Sequence, residues 1–356
     1  MQPKRVAIVA DWLTSRGGAE RVIAALLEAF PRAKIFTTVY NPAVFPEYKG
    51  RVAATSLLQK IPFLNRRHQL LLPLLPIAVG SLNLSGFDLI ISSSSAVGKG
   101  IKKPTGAVHI CYCHTPMRYV WQTKTDRRLI RLPLGRLLIN WLKKWDLKTN
   151  QGVDYFIANS RYTAARITKN YHRHSTVIYP PVEPSHKPAP SEKEDFYFAV
   201  SRLTPYKRFD LAVLACRKLG RKLLIAGEGP ELGKLKEIAA GKETEFLGRI
   251  SDKEKIKYLQ AARAVIFPAE EDFGIVPIEA MACGTPVVAF GRGGARETVR
   301  DGQTGVLFIK QNVAELVRAI KRLDKISFQR ERLTSQARRF SKAQFIRKIK
   351  KFVEKI

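Results

Sequence analysis

Two glutamates eight residues apart, Glu271 and Glu279, bracket the run Glu271-Asp272-Phe273-Gly274-Ile275-Val276-Pro277-Ile278-Glu279. Gly274, Ile275 and Val276 stand where a helix is expected to begin, after the predicted strand Ala264–Phe267. A helix start attracts phosphate through its unpaired N–H groups and its dipole. Were the run wholly helical, the two carboxylates would lie roughly 12 Å apart. A retaining glycosidase needs its pair only about 5–5.5 Å apart. The spacing therefore points away from a hydrolytic dyad and toward two glutamates gripping different parts of one elongated ligand. A dipole-favouring Glu beside a surface Glu is the alternative reading.

Three further loops follow predicted strands of the same half. Ser201-Arg202-Leu203-Thr204-Pro205-Tyr206-Lys207 sets two cations five residues apart, after Phe196–Val200. Arg offers a planar donor fork and Lys a compact charge, so the two can converge on a diphosphate; two solvated cations are the alternative. Gly227-Glu228-Gly229-Pro230 would let backbone approach a ligand closely, or be a plain turn. Gly291-Arg292-Gly293-Gly294-Ala295-Arg296-Glu297 opens another helix after Val287–Phe290, either bordering the phosphate site or forming a tight turn. In the first half, Gly17 and Gly18 lie between the opening strand and a helix, where backbone amides can meet an anion or a sugar. They do not form G-x-G-x-x-G, so a dinucleotide cofactor is not indicated. Cys111-Tyr112-Cys113-His114-Thr115-Pro116-Met117-Arg118-Tyr119 follows another predicted strand and brings His114 and Arg118 to its end.

These residues must be positioned by alternating strands and helices, the pattern of α/β layering with parallel sheets. In the first half the predicted strands are Arg5–Ala10, Asp88–Ser92, Ala107–Cys111 and Tyr155–Ala158, with helices at Ala19–Phe30 and Leu129–Lys148. The second half adds Phe196–Val200, Lys222–Ala226, Glu245–Leu247, Ala264–Phe267 and Val287–Phe290, and a helical, basic tail from Val313 to Ile356. A proline-rich stretch divides the halves. The expected organisation is a domain over 1–182, a linker over 183–191, a second domain over 192–340, and a basic C-terminal helix over 341–356 that crosses back to the first domain.

The second half resembles the donor domain of glycosyltransferase family 4, the retaining group with the GT-B fold. Glu271 to Glu279, with Phe273 and Gly274, matches that family's E-x7-E signature, and Arg202 and Lys207 match its diphosphate-binding cations. Ser201 and Asp272 depart from it, each standing where glycine is common. The block His114-Thr115-Pro116-Met117-Arg118-Tyr119 is similar to one in bacterial polysaccharide and O-antigen mannosyltransferases of the family. The resemblance implies an α/β GT-B fold, with two Rossmann-like domains facing each other across a cleft. It implies retaining transfer of a hexose from a nucleotide-diphosphate sugar, GDP-mannose or a UDP-sugar, to a saccharide or polyprenyl-diphosphate-linked acceptor. Catalysis would fall to His114, Glu271, Arg202 and Lys207. Donor binding would fall to Gly17, Gly18, Gly227, Phe273, Gly274, Ile275, Val276 and Glu279, and acceptor binding to Arg118. No metal and no cofactor is implied, the two cations standing in for a metal. A sugar-nucleotide epimerase or phosphorylase of the same fold is the alternative.

The chain has 356 residues, 45% of them hydrophobic, enough for two buried cores. Its net charge of +32 calls for an anionic partner: nucleic acid, an anionic membrane or phosphorylated substrates. Zinc-finger spacing, an RRM block and bZIP heptads are missing, which argues against nucleic acid. The four cysteines fit buried thiols in a reduced, cytoplasmic chain. Residues Arg127–Lys148 hold seven basic residues and one acidic residue among Leu, Ile and Trp. That composition suits an interfacial helix on an anionic membrane, the inner face of the plasma membrane, with Leu57–Leu75 as a second patch. It also suits an ordinary packed helix with a basic solvent face.

Overall fold

The computed structural model describes residues 5–61, 72–122, 129, 134–183, 193–239, 241 and 243–356. The expected linker, apart from Glu183, and parts of both expected membrane patches lie outside these residues. Two units emerge, one made of the chain up to Pro181 together with Lys342–Ile356, the other of Val182–Ser341.

The first unit is built on β1 (Val6–Ala10), β2 (Lys34–Thr37), β3 (Val52–Thr55), β4 (Leu89–Ser94), β5 (Val108–Cys113), β6 (Tyr155–Ala158) and β7 (Ser175–Val177). All pair in parallel, in the order β3-β2-β1-β4-β5-β6-β7. Strands β1 and β4 are buried along their whole length, as a parallel sheet covered on both faces requires. Ala7, Val9 and Ile90 face one core layer, with Leu75, Val79 and Leu142. Val6, Ile8, Leu89 and Ile91 face the other, with Val22 and Leu26 of helix Gly18–Ala29. Phe345, Ile349 and Val353 of the C-terminal helix Lys342–Val353 join that second layer, and Phe345 meets Tyr112 edge-on at 5.7 Å.

The second unit carries β8 (Glu194–Val200), β9 (Lys222–Ala226), β10 (Thr244–Gly248), β11 (Ala262–Phe267), β12 (Val287–Phe290) and β13 (Gly305–Phe308). They too are parallel, in the order β10-β9-β8-β11-β12-β13. Helices Phe209–Leu219 and Val313–Leu323 bury Ala212, Ala215, Leu316 and Ile320 against one face. On the other face Tyr258 of helix Asp252–Ala261 stacks on Phe198 of β8 at 5.4 Å. Each sheet thus reverses its strand order near the middle, between β1 and β4 in one unit and between β8 and β11 in the other.

The differences from the sequence expectation have local causes. β2, β3, β7 and β13 were not foreseen in the sequence, and each is held by parallel pairing with a neighbouring strand. The helix expected from Leu129 is observed over Gly135–Lys148, entered through Leu134 in a left-handed conformation. The tail expected as helical throughout is three helices, the last two being Arg330–Arg338 and Lys342–Val353. All four cysteines are free and buried.

His109 on β5 gives the first unit a pH dependence. Its Nδ1–H donates to the Gly152 carbonyl (2.9 Å), so Nε2 accepts from the Ser92 hydroxyl (2.8 Å). Burial pushes this imidazole down to about 4. A histidine held neutral contributes stability that is present above its unfolded pKa, near 6.5, and is lost as pH falls toward 4. The stake is about 3 kcal/mol. Glu20 runs in the opposite sense, since burial, with the Asp11 charge adding, raises its carboxyl to about 7. Comparing unfolding free energies of the wild type and His109→Gln from pH 7 to 4.5 isolates the histidine. The gap between the two proteins should narrow steadily on acidification; a constant gap would contradict the assignment.

Candidate functional site

In an open parallel sheet, ligands bind outside the carboxyl ends of the strands where the strand order reverses. In the second unit that place is flanked by the loops after β8 and β11, which carry Arg202 and Lys207 on one side and Glu271 on the other. After β8 the chain makes a single 3-10 turn, Pro205–Lys207, and Arg208 takes a left-handed conformation before the next helix. This turn aims Lys207 inward. Its ammonium is buried and ion-paired with Glu271 Oε1. Two residues predicted from separate motifs, 64 positions apart, thus meet at the reversal point.

The loop that carries Glu271 is held largely by backbone. Gly294 N–H donates to the Glu271 carbonyl (2.8 Å), and Gln311 Nε2 donates to the Pro268 carbonyl (2.8 Å). A Cβ on Gly294 would come within 3.0 Å of three backbone atoms of Phe273, so only glycine permits the approach. The glycine cluster at 291–297 therefore seats the Glu271 loop. Phe273, predicted as a donor contact, has its ring buried edge-on to Phe340 at 5.8 Å, so the side chain anchors the loop. Gly274, with φ of +81°, then starts the helix Ile275–Ala282 without a side-chain cap, leaving its first N–H groups to that end of the sheet.

Glu279 sits one turn into this helix and pairs with Lys255 (3.0 Å), which also meets Asp252 (3.0 Å). The two glutamates of the signature therefore pair with different cations on different elements. Lys255 carried no signal in the sequence, being one of many lysines on an exposed helix. Arg202 is exposed and makes no ion pair among the described residues. Gly227 approaches the protein rather than open space, since a Cβ there would collide with the Ser201 carbonyl. It ties the loop after β9 to the loop after β8, where Leu203 N–H donates to the Glu228 carbonyl (2.9 Å).

At the corresponding point of the first unit an anion site is already filled. The Asp11 carboxylate, directly after β1, accepts from the N–H groups of Ser95 (2.6 Å), Ala96 (3.0 Å), Val97 (2.8 Å) and Gly98 (2.6 Å). Ser94 and Ser95 hydroxyls donate to it as well. Gly17 is extended at φ −163°, and the Glu20 carboxylate sits back against it. Asp11 and Glu20 lie on either side of the Gly17-Gly18 pair, and nothing in their spacing along the chain announces these partners.

His114 leaves the end of β5 with Nε2 hydrogen-bonded to the Ser93 hydroxyl (2.8 Å) and its ring edge-on to Tyr112 at 5.2 Å. Burial, helped by the charge of Arg118, lowers its pKa to about 4, so it is neutral at physiological pH. Arg118 opens the short helix Arg118–Trp121. Asn159 Nδ2 donates to the His114 carbonyl (2.9 Å), and Ser160 caps the helix Arg161–Tyr171 through Thr163 N–H (3.0 Å). Among the described residues no group of His, Cys, Asp or Glu is arranged to hold a metal, and no helix is long and apolar enough to cross a membrane.

Comparison with known proteins agrees with this fold. Residues 16–186 match the family model described as Glycosyltransferase Family 4, and residues 183–340 match the one described as Glycosyl transferases group 1. The chain is 30% identical over 233 residues to the alpha-1,3/1,6-mannosyltransferase ALG2 of Homo sapiens, a match covering 55% of this chain and 54% of that protein. The chain thus spans about half or less of the length of the curated relatives it matches. Two solved structures share the fold over 99% of this chain, at 19% identity each. Sucrose-phosphate synthase from Thermosynechococcus elongatus gives a TM-score of 0.77 over 98% of its chain. Anabaena HepE in complex with UDP-glucose gives 0.73 over 100% of its chain. Two parallel doubly wound sheets, with a Glycosyltransferase Family 4 match in the first half and a Glycosyl transferases group 1 match in the second, mark the chain as a glycosyltransferase of the GT-B type.

Proposed function

We propose that the protein transfers a hexosyl group, with retention, from a nucleotide-diphosphate sugar bound by its second unit to a saccharide or lipid-linked acceptor. The observation that carries this reading is the Lys207–Glu271 pair at the sheet's reversal point, beside the uncapped start of helix Ile275–Ala282. The first unit has the same strand order, but its amide nest is taken by Asp11. That argues for the second unit as the diphosphate site.

In this reading Lys207, Arg202 and the amides of Gly274, Ile275 and Val276 take up the charge that grows on the leaving diphosphate. Preorganised donors of this kind lower the barrier because they act more strongly on the transition state than on the ground state. Glu279, held by Lys255, takes the ribose hydroxyls. Glu271 takes hydroxyls of the sugar and keeps Lys207 in place. The acceptor hydroxyl attacks from the face the diphosphate leaves. His114, neutral and held by Ser93, offers one ring nitrogen to the transferred sugar, and Arg118 serves the acceptor. GDP-mannose is the favoured donor, supported by the His114-Thr115-Pro116 block and by the mannosyltransferase name of the human relative. A UDP-sugar is the second candidate, as the Anabaena protein is solved with UDP-glucose. A polyprenyl-diphosphate-linked acceptor would place the reaction at the inner face of the plasma membrane.

A melting-temperature panel tests the donor site. GDP-mannose, UDP-glucose, GDP and UDP are each added to the full chain. A matched donor at about a hundred times its Kd should stabilise the fold by about 2.7 kcal/mol. The shift should disappear in Lys207→Ala. No shift with any nucleotide, or an unchanged shift in that variant, would refute the site. Radiolabelled sugar released or epimerised without acceptor would point to the epimerase or phosphorylase alternative.

A further inference from the structure

Eleven large hydrophobic side chains are exposed among the described residues, and eight of them lie on or beside three short elements of the first unit. These elements are the 3-10 turn Leu57–Lys60, the helix Leu75–Gly80 and the helix Gly135–Lys148. Leu57 (72% exposed), Ile77 (68%), Leu134 (76%) and Leu137 (64%) stand out furthest, with Leu74 and Trp141 beside them. Each element also buries its opposite side in the same core layer, through Leu58, through Leu75 and Val79, and through Ile139 and Leu142. All three therefore cover one face of the β1–β7 sheet. The two helices meet at Gly100, where a Cβ would touch both Val79 and Trp145.

The charge on this layer has one sign. Lys60, Arg136, Lys143, Lys144 and Lys148 are exposed. The single carboxylate of helix Gly135–Lys148, Asp146, points inward, fully buried, onto buried Lys99 (2.9 Å) and Trp121 Nε1 (2.7 Å). Breaking such a buried pair is costly, so the pair pins the helix and fixes which side faces out. On that outer side Leu134, Leu137 and Trp141 occupy the first half, and Lys144 and Lys148 continue the same stripe. A helix face of this kind buries aliphatic and Trp side chains at the lipid boundary while its lysines rest among anionic head groups.

We propose that this layer of the first unit docks on an anionic lipid bilayer. A second copy of the chain is a poor occupant, because an isologous contact would set like charges against each other. Nucleic acid would use the cations and leave the aliphatic side chains in water. The proposal does not depend on the transferase reading, and its test uses no sugar nucleotide.

The full chain is floated with liposomes of phosphatidylcholine alone or with about 30% phosphatidylglycerol, in low salt and in roughly 0.5 M salt. The wild type should float with the anionic vesicles and much less with the neutral ones. Ile77→Asp combined with Leu137→Asp should lower the bound fraction about tenfold, at an unchanged melting temperature, since both side chains are exposed. Lys143→Ala with Lys144→Ala should weaken binding severalfold and reduce its salt sensitivity. A wild type that stays unbound on anionic vesicles, or a double aspartate variant that floats as well as the wild type, would overturn the proposal. So would a solution dimer, dispersed by Leu137→Asp, in a protein that ignores vesicles.

Discussion

Replacing Lys207 with alanine is expected to lower sugar transfer by a factor of about 100 to 1,000, or roughly 2.7–4 kcal/mol of transition-state stabilisation. The magnitude is that of removing one preorganised donor from a site where charge develops. Lys207 suits that role because the 3-10 turn Pro205–Lys207 buries its stem and presents its ammonium at the reversal point of the sheet. The same substitution leaves Glu271 without its cation, so some stability will be lost as well. Glu271→Gln separates the two effects, since it keeps the shape of the side chain and removes the charge that holds Lys207. Loss of turnover in both variants, with melting temperatures near that of the wild type, would place the pair in the reaction. Turnover within about fivefold of wild type in both would remove it.

A single added methyl group at Gly294 should be nearly as damaging, although Gly294 is proposed to touch no substrate. Its backbone angles suit any residue, with φ of −68°, so Gly294→Ala introduces no conformational strain. What it introduces is a collision with the backbone of Phe273, which a side-chain rotation cannot relieve. Overpacking of this kind costs about 1–3 kcal/mol. In a unit of this size that is a fall of roughly 2–12 °C in melting temperature. The loop from Glu271 to Phe273 must move to make room, and the hydrogen bond from Gly294 N–H to the Glu271 carbonyl stretches with it. Transfer should fall about a hundredfold, because displacements of about 1 Å near a reacting centre are this expensive. Saturating donor should restore little of the loss. A variant with wild-type melting and turnover would show that the loop does not need the glycine cluster.

Both predictions concern contacts that the sequence outlines unequally. Glu271, Gly274 and Glu279 were legible because a helix start after a strand is a local feature, written in consecutive residues. Lys207 was legible as a cation at a strand end. That Glu271 and Lys207 touch was not, because the contact depends on β8 and β11 being neighbours in a sheet whose intermediate strands lie elsewhere. The glycine cluster at 291–297 was visible as a turn or a phosphate loop, but its partner was invisible. Phe273 read as a donor contact from its place in the signature, whereas its ring is drawn into the core by Phe340, 67 residues away in the chain. Lys255 and Ser93 carried no signal at all, since a lysine or a serine acquires a role only through what the fold sets beside it.

Length, alternating apolar runs and strand-end motifs were enough to determine a two-part α/β chain and the loops proposed to bear its chemistry. These are local properties, set by side-chain periodicity and by the conformational demands of glycine and proline. The tertiary structure alone decided which loops meet, which anion site is already filled by Asp11, and which side of helix Gly135–Lys148 faces outward. Those outcomes rest on parallel pairing between strands far apart in the chain and on buried pairs such as Lys99 with Asp146. Their energies depend on distance and burial in three dimensions, and neither quantity is encoded in the spacing of residues along the chain.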